Sequence, residues 1–234
     1  MQHGDGGHTQ VRVYLLNMRD ADAYAPGSLP DSGQLDLRAH PRRRQQFLAG
    51  RALVRFAIER SAGIPPAEQR IQTLPGGKPV CIGGPAISLS HSLDWVACAV
   101  ASRGVVGVDL QFPVTHIDAR AVAASYFPES ECQWIGGDRN RFFMLWTLKE
   151  AHLKAVGLGI SGGLDSVSCR IDPPRINARF NRTEPTHLSL HAFRDAVVAV
   201  ATTVRFYDDV DVSVLGPDGP DKAMSRAAKS IAST

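Results

Sequence analysis

The stretch ISLSHSLDWVACAVA, residues 87–101, is echoed about 100 residues later by HLSLHAFRDAVVAVA, residues 187–201. In both, β-branched and small apolar residues alternate with polar ones around a short polar break, the pattern of two paired strands. Ile87–Leu93 and Trp95–Ser102 read as one such pair, and His187–Phe193 and Ala196–Phe206 as another. At an offset of about 100, His91 meets His191 and Ala99-Val100-Ala101 meets Ala199-Val200-Ala201. Leu53 meets Leu153, Gly63 meets Gly163, and Arg70-Ile71 meets Arg170-Ile171. Each half runs long helix, small-residue loop, strand, then a paired strand ending in Val-Ala. The reading is α+β, a duplicated unit whose functional site lies between the halves, where ligand pockets commonly form.

Outward from these hairpins, Val11–Leu16 and Val105–Gln111 read as strands and Leu164–Ile171 as another. Residues 41–62 read as a helix that Pro41 opens and Gly63 closes. Residues 118–126 and 129–135 read as short helices split by Pro128, and 139–156 as the strongest helix. Residues 20–40 read as loop, 1–10 as a disordered leader, and 215–234 as a flexible tail. The expected units are an N-terminal α+β half over 11–103 and a C-terminal half over 104–214.

The chain has 234 residues, 44% hydrophobic and 21% charged, with a net charge of +3. That balance excludes disordered and fibrous classes. No apolar run approaches the roughly 18 residues of a membrane span, and the first ten residues carry no apolar signal core. A cytoplasmic protein with no membrane partner is expected. Cys81, Cys98, Cys132 and Cys169 are far apart, with no C-x-x-C, which argues against a zinc site or a disulfide framework. The mild positive charge suits an anionic ligand and does not call for nucleic acid.

Four constellations carry chemistry. In Gly107-Val108-Asp109-Leu110-Gln111, strand alternation puts Val106, Val108 and Leu110 on a packed face and Gly107, Asp109 and Gln111 on the other. A carboxylate and an amide oxygen on one face suit a hard cation. On the strongest helix, Trp146, Glu150 and Lys154 share a face at i, i+4 and i+8, within a densely apolar segment. A carboxylate there needs a metal or a cationic partner. Gly76-Gly77-Lys78-Pro79 and Ser88-Leu89-Ser90-His91-Ser92 supply a lysine on a turn and hydroxyl and imidazole groups for an anion. Arg42, Arg43, Arg44 and Arg51 form a basic cluster suited to phosphate. Gly157-Leu158-Gly159-Ile160-Ser161-Gly162 matches G-x-G-x-x-G but follows a helix, so it reads as a helix end and not a dinucleotide loop.

In order, Gly50-Arg51-Ala52-Leu53-Val54-Arg55, Gly77-Lys78-Pro79, Ser88–Ser92, Gly107–Gln111 and Trp146–Gly159 resemble the motifs of the Sfp-type 4′-phosphopantetheinyl transferases. The resemblance covers about residues 41–160. It implies two similar α+β halves in pseudo-twofold arrangement with the active site between them. It implies Mg²⁺-dependent transfer of phosphopantetheine from coenzyme A to a serine of an apo acyl or peptidyl carrier protein, releasing 3′,5′-ADP. Asp109 and Glu150 would hold Mg²⁺. Glu150 would take the serine proton, and Lys154 and Ser90 would contact phosphate. Lys78 and His91, with Arg44 and Arg51, would hold the 3′-phosphate end. The family's second acidic position is Gln111 here, so the third metal position falls to Gln111, Glu131 or water.

Two other classes compete with this reading: a coenzyme A or carrier-protein binding module that has lost turnover through Gln111, and a Mg²⁺ nuclease built on Asp109, Glu150 and the basic residues. A monomer is expected, because one chain supplies the whole site.

Overall fold

The computed structural model describes residues 10–25, 40–159, 163–181, 183–205, 210–218, 225–226 and 229–233. The expected leader, except Gln10, and most of the 20–40 loop lie outside the described residues. Strand β1 (Val11–Asn17) leads into a 3-10 turn over Met18–Tyr24, where a loop was expected. Helix α1 (Pro41–Ala62) has proline in its first turn. It closes at Gly63, whose φ of 69° lets its N–H reach Glu59 O at 2.8 Å.

Strands β2 (Ile71–Thr73) and β3 (Pro79–Cys81) form a small hairpin that the sequence, with three residues in each, does not announce. Then come β4 (Ala86–Ser92), β5 (Trp95–Ala101) and β6 (Val106–Gln111). Helices α2 (Ala119–Tyr126), α3 (Glu129–Ile135) and α4 (Arg139–Val156) follow. Asp138 starts α4 by accepting the N–H groups of Asn140 and Arg141, and Gly157 ends it at φ 80°. The last strands are β7 (Val167–Asp172), β8 (Arg175–Phe180), β9 (His187–Phe193), β10 (Ala196–Thr202), β11 (Asp211–Leu215), β12 (Ser225–Arg226) and β13 (Lys229–Ser233). Residues 164–166, expected in a strand, form a 3-10 turn.

The fold is α+β. One sheet has the order β12-β11-β1-β5-β4 and the other β6-β10-β9-β13-β8-β7. Alternation assigns each strand two faces. Trp95, Ala97, Ala99 and Ala101 of β5 point with Val11, Val13 and Leu15 into a core shared with Val106, Val108, Leu110, Val198 and Val200 of the second sheet. Val96, Cys98 and Val100, with Tyr14 and Leu16, pack under α1. Val197, Ala199 and Ala201 pack under α4. The order of layers is therefore α1, sheet, sheet, α4. The alanines of β5 let the two sheets approach.

The β4–β5 and β9–β10 hairpins turn on Leu93 (φ 50°) and Arg194 (φ 52°), which are 101 residues apart. The letter matches at 100 thus miss the structural register by one, and one residue reverses the face. Val100 faces α1 whereas Val200 faces the intersheet core. His91 is exposed and His191 is buried. The counterpart of Gly63 as a left-handed helix cap is Gly157, not Gly163.

Two departures concern the end of the chain. Strand β11 pairs in parallel with β1, Val13 opposite Val212, so residues assigned by sequence to the second half complete the sheet of the first. Within the expected flexible tail, β13 pairs with β9 and meets β8 at Ser233–Arg175.

The edge strands β4 and β6 are stitched together by side chains. Ser88, Ser90 and Ser92 Oγ accept the backbone N–H groups of Val108, Leu110 and Phe112 at 3.1, 3.2 and 3.1 Å. These N–H groups belong to the β6 edge opposite β10, and every buried donor needs such a partner.

Candidate active site

Strand β6 and helix α4 meet without a side chain between them at Gly107. A Cβ there would lie 2.0 Å from Ala151 O and 2.5 Å from Ala155 N. This contact brings Glu150 and Lys154, one turn apart on α4, over Asp109 on β6. Lys154 Nζ donates to Asp109 Oδ1 at 2.7 Å and to Val108 O at 3.1 Å. Ser90 Oγ donates to the same Oδ1 at 2.7 Å, and Gln111 Nε2 donates to Oδ2 at 3.1 Å. Glu150 Oε1 is buried with no hydrogen-bond partner. Burial pushes the Glu150 carboxyl up to about 7, the Asp109 carboxylate adds to this, and Lys154 opposes it.

These groups form one wall of a groove of about 1100 Å³. Trp146 continues the α4 wall, as the shared helical face requires. The groove is also lined by Arg43, Phe47 and Arg51 of α1, the Gly76–Pro79 turn and Ser88–His91. Arg51 is buried, donates to Thr73 Oγ1 at 2.5 Å and has its guanidinium 5.0 Å from the Phe47 ring centre. Arg44 does not line the groove. It is exposed one residue past the face formed by Arg43, Phe47, Gly50 and Arg51, and Arg43 stands in the place expected for it. Arg42 pairs on the surface with Asp94 at 3.0 Å.

Lys78 crosses from the β2–β3 turn to donate to Lys154 O at 2.6 Å, capping the carbonyl end of α4. Burial lowers its pKa. His91 sits at the groove rim. Desolvation against the groove wall lowers its pKa, an effect to which Lys154 and Arg42 add and which Asp109 opposes.

Glu131 is not at this site. Its Oε2 pairs with Lys149 Nζ at 2.9 Å and its Oε1 accepts Cys169 N–H at 2.7 Å, both buried on another side of α4. Lys149 also donates to Leu164 O at 2.9 Å and to Val167 O, and lies 4.8 Å from the Phe127 ring centre. Adjacent residues on a helix point about 100° apart, which separates Lys149, a tie between elements, from Glu150 in the groove. His152 is fully buried between Thr186 and Thr183 Oγ1 at 2.9 and 3.0 Å. Burial, with Lys149 adding, lowers its pKa to about 4. A second cavity of similar volume, bordered by Arg170, Arg175, Arg179 and His187, contains none of the expected site residues except Glu131. The cysteines are free. Gly157 and Gly159 line the first groove as the helix end expected of them; residues 160–162 lie outside the described residues.

Two carboxylates with an amide alongside, a lysine bridging strand and helix, and further cations lining the same groove are chemistry suited to a phosphate-bearing ligand. Residues 105–201 match the model of the 4′-phosphopantetheinyl transferase superfamily. The chain is 37% identical to the 4′-phosphopantetheinyl transferase psf-1 of Bacillus pumilus over 54% of its own length and 56% of that protein's. It is 31% identical to the 4′-phosphopantetheinyl transferase Sfp of Bacillus subtilis strain 168, over 56% and 61% of the two lengths. It is 30% identical to the 4′-phosphopantetheinyl transferase HetI of a Nostoc species, over 57% and 60%. Residues 105–201 therefore resemble this superfamily, and Sfp is among the relatives matched. The chain spans a little over half the length of the curated relatives it matches.

Proposed function

We propose that this protein transfers the 4′-phosphopantetheine group of coenzyme A to a serine of an apo acyl or peptidyl carrier protein, releasing 3′,5′-ADP. The observation that carries this reading is the meeting of Asp109, Glu150 and Lys154 in a groove also lined by Arg43, Arg51 and Lys78. The residues fit a bound Mg²⁺. The unpartnered Glu150 Oε1 and the raised Glu150 pKa beside Asp109 both mark a place where a dication is stabilising. Asp109, Glu150 and Gln111 would hold it, with substrate phosphate or water completing the set. Among the described residues no group of three His, Cys, Asp or Glu side chains could do so alone. Mg²⁺ supplies neutralisation of charge on the pyrophosphate.

The serine oxygen bonds to the phosphorus next to pantetheine as the bond from that phosphorus to the bridging oxygen breaks. 3′,5′-ADP leaves with the electron pair. Glu150 accepts the serine proton; a carboxylate poised near neutral pH is matched to that task. Lys154 stabilises charge on the phosphates, and its contacts to Asp109 and Val108 O fix its ammonium before substrate arrives. Lys78, His91, Arg51 and Arg43 are assigned to the 3′-phosphate end in the same groove.

The arrangement we propose is two similar α+β halves over 11–103 and 104–214, the end of the second crossing over as β11 to complete the sheet of the first, supported by the matched hairpins and by one long helix on each sheet. We assign it to a cytoplasmic monomer, one chain supplying both walls. Incubation with coenzyme A, Mg²⁺ and a panel of apo carrier proteins, read by intact mass, tests this. The expected result is one phosphopantetheine added per carrier. Coenzyme A binding without any mass shift favours the binding module, and no coenzyme A binding overturns both.

A further inference from the structure

The alternating serines of β4 fall into two kinds. Ser88 and Ser92 each accept one β6 N–H group and, among the described residues, make no hydrogen bond to the site's carboxylates. Ser90 does both: its oxygen accepts Leu110 N–H at 3.2 Å while its hydroxyl donates to Asp109 Oδ1 at 2.7 Å. A hydroxyl has one proton to give, and that of Ser90 goes to Asp109. Ser90 is 7% and Asp109 2% exposed, so little water competes for this bond.

The geometry assigns Ser90 as a positioning residue, one that sets the Asp109 carboxylate for cation binding instead of holding substrate phosphate. Three features make it suited to this. The hydroxyl is fixed at both ends, by β6 backbone on one side and the β6 carboxylate on the other. It shares Oδ1 with Lys154, so strand, helix and the opposite sheet converge on one oxygen. It is also the link by which the first sheet, through edge strand β4, reaches the carboxylate, so intersheet register and carboxylate orientation are set together. Short hydrogen bonds to a carboxylate are the strong kind, and groups around a metal site that orient its ligands commonly govern metal affinity by about 10–100-fold.

This inference rests on the proposed cation-dependent transfer, and its test separates the two. Mn²⁺ binding to the free protein, followed by electron paramagnetic resonance, needs no turnover. Ser90→Ala should weaken Mn²⁺ binding at least fivefold, and Ser90→Thr, which keeps the hydroxyl, should restore it to within threefold. Ser92→Ala, which loses a clasp but no contact to Asp109, should lower stability and leave Mn²⁺ affinity unchanged. In the transfer assay, Ser90→Ala should lower kcat and raise the Mg²⁺ needed for half activation, with KM for coenzyme A within threefold of the parent. Unchanged Mn²⁺ affinity in Ser90→Ala, equal weakening in Ser92→Ala, or no Mn²⁺ binding by the parent protein overturns the assignment. So does a large rise in KM for coenzyme A with kcat unaltered, which marks a phosphate ligand. A parent protein that transfers nothing yet shows the Mn²⁺ pattern refutes the transferase reading alone.

Discussion

Gly107→Ala adds one carbon where none fits. The new Cβ would lie 2.0 Å from Ala151 O and 2.5 Å from Ala155 N, against a normal closest approach of 3 Å or more. Both obstacles are backbone atoms of α4, so no side chain can swing away. Helix and strand must separate by about 1 Å, and overpacking of this kind costs about 1–3 kcal/mol. The same displacement lifts Glu150 and Lys154 from Asp109, stretching the 2.7 Å Lys154 contact. A misplacement of about 1 Å at a reacting centre costs on the order of a hundredfold in rate. Urea unfolding should therefore show a midpoint lower by about 1 M at unchanged slope, and the transfer rate should fall about a hundredfold. Gly50→Ala is the stability control. Its Cβ meets only Leu89 Cδ1, at 3.5 Å, and alanine is the better helix former, so its midpoint should hold or rise. A Gly107→Ala protein with parental midpoint and rate would show that this approach does not set the site.

Three other outcomes follow from the structure. Glu150→Gln keeps shape and removes the proposed proton acceptor, so single-turnover transfer should drop at least about a hundredfold with the circular dichroism spectrum retained. Lys149→Met leaves Glu131 buried without its cation and should cost about 3–5 kcal/mol in urea unfolding; adding Glu131→Leu should recover part of that loss. His152 is held neutral, with its pKa at about 4 against an ordinary 6.5, so the unfolded chain binds the extra proton between these values. Its contribution is present above about pH 6.5 and is lost as the pH falls toward 4, about 3 kcal/mol in all. A His152→Asn protein should lack that part of the slope in pH-dependent unfolding.

The grouping of Asp109, Gln111, Glu150 and Lys154 was legible because its signals are periodic. Asp109 and Gln111 share a strand face, and Trp146, Glu150 and Lys154 share a helix face; the structure keeps both sets together in one groove. The place of Arg44 outside the groove lining is not legible in sequence because a basic run gives no helical phase. Only the burial of Gly50 and Arg51 shows which of the three consecutive arginines faces inward. Glu131 was open as a ligand because its partner, Lys149, adjoins Glu150 in sequence and is separated from it only in three dimensions. The serines of β4 were visible as hydroxyls, but that they accept N–H groups from another strand depends on two sheet edges meeting. Strands β8 and β11 escaped notice for a different reason. β8 follows Pro173-Pro174 and is largely polar, and β11 has five residues and finds its neighbour almost 200 positions away.

That last pairing bears on how the chain is made. During synthesis β1 emerges well before β11, and one of its sides stays open until residues 211–215 leave the ribosome. For most of translation the first half therefore carries an unpaired apolar strand edge, a template for association with other chains. Cutting the gene between residues 103 and 104 would make that exposure permanent. A fragment carrying 1–103 should aggregate, and a linker returning 210–218 to it should restore its solubility.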